Sequence, residues 1–189
     1  MSVVECGVPA ESALGKNLIE RASFRDAYRA PLGYSDLGVV EIFHGVFAHR
    51  PAWMNVILIA RNKAAALIGL EVPTNSEILD AERRDTYAVG EKIGPWPIFF
   101  LGEDELIAGR DNTQMDFRLS IMKTSECGES SAIISTICIV KNRLGRHYLS
   151  SIYSISQIRR PQADHERGCC RANLVCKYSS WTAILIAVG

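Results

Sequence analysis

Between residues 114 and 123 the chain reads QMDFRLSIMK, with apolar residues at alternate positions. Met115, Phe117, Leu119 and Ile121 face one way, and Asp116, Arg118 and Ser120 the other, because side chains alternate along a strand. Shortly afterwards, Ala132–Val140 is apolar at both parities, which implies a strand covered on both faces. The polar stretch Thr124–Ser130, around Gly128, reads as the loop between them. Any fold for this chain has to place a layer on each side of that second strand.

The flanking segments supply candidates. Ser23–Leu32 reads as a first strand ending at Pro31. After Gly33, Ser35 is a helix N-cap candidate with Asp36 in the first turn. Leu37, Val40, Phe43, His44 and Phe47 follow at helical spacing. Arg50–Pro51 opens a second helix, with Trp53, Ile57, Ala60, Ala64 and Leu67 as its apolar face and Gly69 as its stop. Glu71–Asp85 is a long polar connection. Lys92–Leu101 is β-rich, with Pro95 and Pro97 confining its start to an edge or bulge. Gly102–Glu105 turns, Glu105–Ala108 is a short strand, and Gly109–Asn112 turns again. Arg143–Ile158 returns to helical spacing through Leu144, Tyr148, Ile152 and Ile155, ending near Pro161. The expected organisation is an arm over residues 1–22, a domain over 23–161 and an atypical tail over 162–189. The tail is read as lineage-specific or aberrantly translated. Segregated helices and a meander make the class α+β, a curved antiparallel sheet wrapped around a long C-terminal helix, with two short helices after the first strand.

Composition narrows the function. In 189 residues, 21 Lys+Arg balance 21 Asp+Glu, so no basic surplus favours nucleic acid. No apolar run approaches the roughly 20 residues a bilayer span needs. The first residues do not read as a signal peptide, and the six cysteines then default to reduced thiols, giving a cytoplasmic expectation. Cys138 reads as a small buried hydrophobe. His165, Cys169, Cys170 and Cys176 lack zinc-ribbon spacing, and His44 and His49 lack ligand spacing on one helix. There is no GxGxxG, no P-loop and no GxSxG elbow, so neither metal nor cofactor is expected.

Four segments carry a resemblance: Tyr28–Leu32 (YRAPL), Gly90–Trp96 (GEKIGPW), Gly109–Ser120 (GRDNTQMDFRLS) and Asn142–Ile152 (NRLGRHYLSSI). From about Ser23 to Arg160 the chain resembles an uncharacterised bacterial family of the helix-grip superfamily, which includes Bet v 1, START and polyketide-cyclase-like proteins. Members occur alone or fused behind short-chain NAD(P)-binding domains. Gln114 stands where members commonly have His, and Ser154 and Ser156 where they tend to have Pro and His. The resemblance implies a hydrophobic cavity between sheet and last helix, with no defined activity.

Within such a cavity, the candidate lining is Phe99, Phe117, Leu119, Ile137, Tyr148 and Ile152. Asp116 and Arg118, two apart on one strand face, could hold a substrate's polar head or form an ordinary ion pair. His44 reads as a hydrogen-bonded core residue, and His147 as a rim or surface residue. The leading expectation is a binding protein for a small apolar or amphipathic molecule. Alternatives are a cavity enzyme of cyclase, dehydratase or isomerase type using His147, Tyr148, Asp116 and Arg118, and an interaction module. In the last, a homodimer would cover the two-sided strand Ala132–Val140.

Overall fold

The computed structural model describes residues 3–47, 63, 84, 86–126, 128–143, 145–147 and 150. Among these, the order is β1 (Val4–Glu5), α1 (Lys16–Arg21), β2 (Phe24–Pro31), α2 (Val39–Phe47), β3 (Lys92–Ile93), β4 (Trp96–Leu101), β5 (Glu105–Asp111), β6 (Met115–Glu126) and β7 (Glu129–Val140). The fold is α+β. Seven strands form one open sheet in the order β1-β2-β7-β6-β5-β4-β3. Every neighbouring pair is antiparallel. The second helix and the polar connection expected after residue 50 fall outside the described residues, as does the tail over 162–189.

The alternation in β6 holds. Met115, Phe117, Leu119 and Ile121 lie in the main core cluster with α2, and directly opposed residues of antiparallel strands share a face. That face, the inner one, therefore also carries Ile134 and Cys138 of β7 and Leu106 and Ala108 of β5. On α2, Val39, Ile42, Phe43, Val46 and Phe47 are buried. Phe43 and Phe47 meet Trp96 edge-on, with ring centroids 5.8 and 5.3 Å apart. Each fully buried side chain of this size contributes about 1.5–3 kcal/mol by leaving water.

β7 is buried from Ser131 to Ile139 and lies between β2 and β6, so the two-sided pattern was correctly read. Its second layer is the N-terminal arm. Leu14 packs with Ile107, Ile137 and Ile139 on the outer face, with Val8, Leu18, Ile19 and Ala22 around them. The arm is thus folded onto the sheet, adding β1 beside β2 and α1 against β7 on the outer face. The outer cover over this part of β7 comes from the chain's own arm.

Four local expectations change. Helix α2 starts at Val39, not near Ser35: Gly38 C=O accepts the Ile42 N–H at 3.0 Å, and the Glu41 carboxylate accepts the Gly38 N–H at 2.9 Å. That is half of a capping box, with glycine in the cap position. The segment Lys92–Leu101 is two strands, because Gly94 at φ 59 and Pro95 form a two-residue hairpin loop between Ile93 and Trp96. Gly109 continues β5 and does not turn. A Cβ there would meet Phe117 O at 2.1 Å and Arg118 Cδ at 3.0 Å, so this glycine serves close packing. The polar residues Thr124–Glu126 and Glu129–Ser131 are ladder-paired, and the hairpin is joined through Gly128 at φ 82. Beyond β7, Asn142 Oδ1 accepts the Gly145 N–H at 2.8 Å, capping a helical segment that includes residues 143 and 145–147. The further course of the expected long helix lies outside the described residues.

Candidate functional site

Strand β2 alternates like β6. Phe24, Asp26, Tyr28 and Ala30 pair with Cys138, Thr136, Ile134 and Ala132, all on the inner face. The Asp26–Thr136 pair extends through Leu119 and Ala108 to Ile98 on the neighbouring strands. One row across the sheet therefore begins with a carboxylate and a hydroxyl and continues as pure hydrocarbon. Above it stand Tyr28, Ile134 and Ile121; below it stand Phe24, Cys138 and Phe117.

Thr136 and Cys138 are fully buried and Asp26 is half-buried. Burial pushes the Cys138 thiol well above its ordinary value, and the Asp26 carboxylate raises it further. Cys138 is accordingly a neutral, free thiol, behaving as the small hydrophobe expected of it. At the other side of the core, buried His44 places Nε2 3.1 Å from the Tyr87 hydroxyl, which also accepts the Arg84 N–H at 3.0 Å. That is the hydrogen-bonded core histidine the sequence suggested.

Of the eight candidate residues, the six that are described do not share one space. Phe117 and Leu119 lie on the inner face, both almost completely buried. Ile137 is on the outer face, under the N-terminal arm. Phe99 is 40% exposed on the outer face, as alternation from the buried, inward Ile98 requires. Tyr148 and Ile152 lie outside the described residues.

Asp116 and Arg118 share a face, as their spacing requires, but it is the outer one. Arg118 makes a two-pronged ion pair with Asp111 at 2.6 and 3.0 Å and lies 3.6 Å over the Phe99 ring. The Asp116 carboxylate pairs with Lys141 Nζ at 2.5 Å. Hydrogen bonding from Arg118 holds the Asp111 carboxyl below its ordinary range. These charges pair with one another on the outer face of the sheet, as in the ion-pair reading. His147 is exposed.

The polar row was missed because no motif marks it. Its signal was present nonetheless: in FRDAYRAP, Asp26 occupies the same parity as Phe24, Tyr28 and Ala30, an acidic residue on an otherwise apolar face. The buried carboxylate of Glu105 was missed as well. It receives the Ser12 and Ser120 hydroxyls at 2.5 Å each and the Ala13 N–H at 2.7 Å, tying the arm to the outer face.

Among the described residues, no three His, Cys, Asp or Glu side chains gather as a metal-binding group. Nor is any helix among them long and apolar enough to cross a membrane. No curated protein and no solved structure matches the chain. One family model does, over residues 18–158, from within the arm's helix through strands β2 to β7. On that match, which spans most of the sequence and both strands of the polar row, the chain belongs to DUF2867, a family of proteins of unknown function.

Proposed function

We propose that this domain binds a small apolar or amphipathic molecule against the inner face of its sheet, in the manner of a helix-grip protein. Supporting the architecture are the seven-stranded antiparallel sheet, the apolar inner face, and the resemblance of its β5–β6 and Asn142–Ile152 segments to helix-grip sequences. The observation that carries the binding reading is the Asp26–Thr136 pair. Two polar groups stand directly opposite each other among Tyr28, Ile134, Leu119 and Cys138, where an ordinary core would be hydrocarbon. Binding sites of this kind are mostly apolar with a few placed polar groups.

A cavity enzyme is less well supported. Asp116 and Arg118 face away from the inner layer and His147 is exposed, so these three do not converge with Asp26 as an acid–base set would.

The test is to purify the full chain, extract it, and record native mass spectra alongside uptake of the neutral dye Nile red. A co-purifying small molecule, or saturable dye uptake abolished by Leu119→Trp, is expected. Protein that is empty and takes up no dye overturns the proposal.

A further inference from the structure

We infer that the bound molecule carries an oxyanion head, a carboxylate or a phosphate, and that Arg110 near the end of β5 holds it. This rests on the binding reading above and assigns it a ligand class.

The strand register puts Arg110 on the inner face, opposite Phe117, whose other cross-strand neighbour is Cys138. Trp96 and Arg110 each lie two residues beyond the Ile98–Ala108 pair on their own strands, toward the same end of the sheet. The buried rings of Trp96 and Phe117 come within 6.2 Å of each other, centroid to centroid. Beside these rings Arg110 is half-buried. The other half-buried arginines among the described residues are Arg29 and Arg118, and both have partners. The Arg110 guanidinium has neither a hydrogen bond nor an ion pair among the described residues.

The nearest carboxylates are committed elsewhere. Asp111 and Asp116 rise from the outer face, where Arg118 and Lys141 engage them. Asp26 shares the inner face but stands on β2, with β7 and β6 between it and β5, so the assignment does not depend on its charge. A cation partly withdrawn from water without a counter-charge is costly, and an oxyanion offsets that cost. The planar guanidinium also offers two parallel N–H donors to a carboxylate or phosphate. From that point the hydrocarbon of Phe117, Leu119 and Cys138 extends across the sheet, a surface for the apolar part of the same molecule.

The experiment uses three probes with the same twelve-carbon chain: dodecanoate, dodecyl phosphate and dodecanol, each displacing Nile red from the full protein. At least one anion is expected to bind about fivefold or more tightly than dodecanol, and the tighter anion identifies the head. In Arg110→Gln that gap should close to within about twofold, since the charge that holds the head is gone. Arg110→Met keeps the apolar stem, carries the same expectation, and replaces the glutamine variant if that one does not fold. Dodecanol binding as tightly as both anions overturns the inference and leaves the binding reading standing. A gap that survives in the folded Arg110 variant overturns it too. If none of the probes binds and the protein takes up no dye, the binding reading falls, and this inference with it.

Discussion

Ser12 and Glu105 are joined by a 2.5 Å hydrogen bond across 93 residues of sequence, inside the interface between the N-terminal arm and the outer sheet face. Glu105 is only 6% exposed, yet three donors converge on its carboxylate. Removing it leaves two buried hydroxyls and a part-buried N–H without this acceptor. Glu105→Ala should therefore cost roughly 2–4 kcal/mol in urea unfolding, and Glu105→Gln less, since the amide oxygen still accepts. A loss under about 0.5 kcal/mol for the alanine variant would show that the arm is not anchored there.

The arm's apolar contribution should be visible on its own. Leu14 is almost wholly buried against Ile107, Ile137 and Ile139. Leu14→Ala is expected to destabilise by about 2–4 kcal/mol. Deleting residues 1–22 should uncover those isoleucines and cause self-association, seen in light scattering as species larger than the full chain forms at the same concentration.

Gly109 supplies a test of the close approach between β5 and β6. Alanine usually stabilises a strand relative to glycine, yet here the added methyl would collide with the Phe117 carbonyl. Gly109→Ala should lower stability by about 2–3 kcal/mol, measured by thermal or urea unfolding. Neutral behaviour would mean that the two backbones separate easily at that point.

The Asp111–Arg118 pair should show a pH dependence of defined sign. Hydrogen bonding to Arg118 depresses the folded-state carboxyl below its unfolded value of about 3.9. Its stabilisation is therefore present at neutral pH and is lost as pH falls below that value through the folded one. Asp111 is half exposed, so a double-mutant cycle should return only about 0.5–1 kcal/mol at pH 7. That coupling should shrink with acid and with added salt. An increase on acidification would contradict the assignment.

Thiol chemistry separates Cys138 from its surroundings. Its buried, neutral thiol should resist alkylation at about pH 8 in the native protein and react fully after unfolding, as peptide mass spectrometry would show. Because the folded-state value is raised, the folded form also loses stability as pH climbs past the ordinary thiol range.

Sequence periodicity disclosed the strands that are regular. Met115–Ile121 and Ala132–Val140 alternate or saturate so clearly that faces and cover follow directly. It failed where one residue had two readings. Gly109 looked like a turn but is a packing residue, and Thr124–Ser130 looked like a loop because its solvated strand ends are polar. Phe99 was named as lining, but alternation from the buried Ile98 puts it outward, and the bulge that follows turns Phe100 outward as well. Ile137 was placed in the lining with Phe117, although the strand register puts Arg118, not Phe117, opposite it. The arm was illegible for another reason: its anchor is a long-range carboxylate, and nothing near Ser12 announces Glu105.

The sheet's outermost members, β1 and β3, are only two residues long, and each offers a charged residue, Glu5 and Lys92. Edge strands this brief provide almost no backbone template for a foreign strand to extend. Although the sheet is not closed into a barrel, its longest and greasiest strands, β6 and β7, are shielded from fibril-like stacking by their place in the interior.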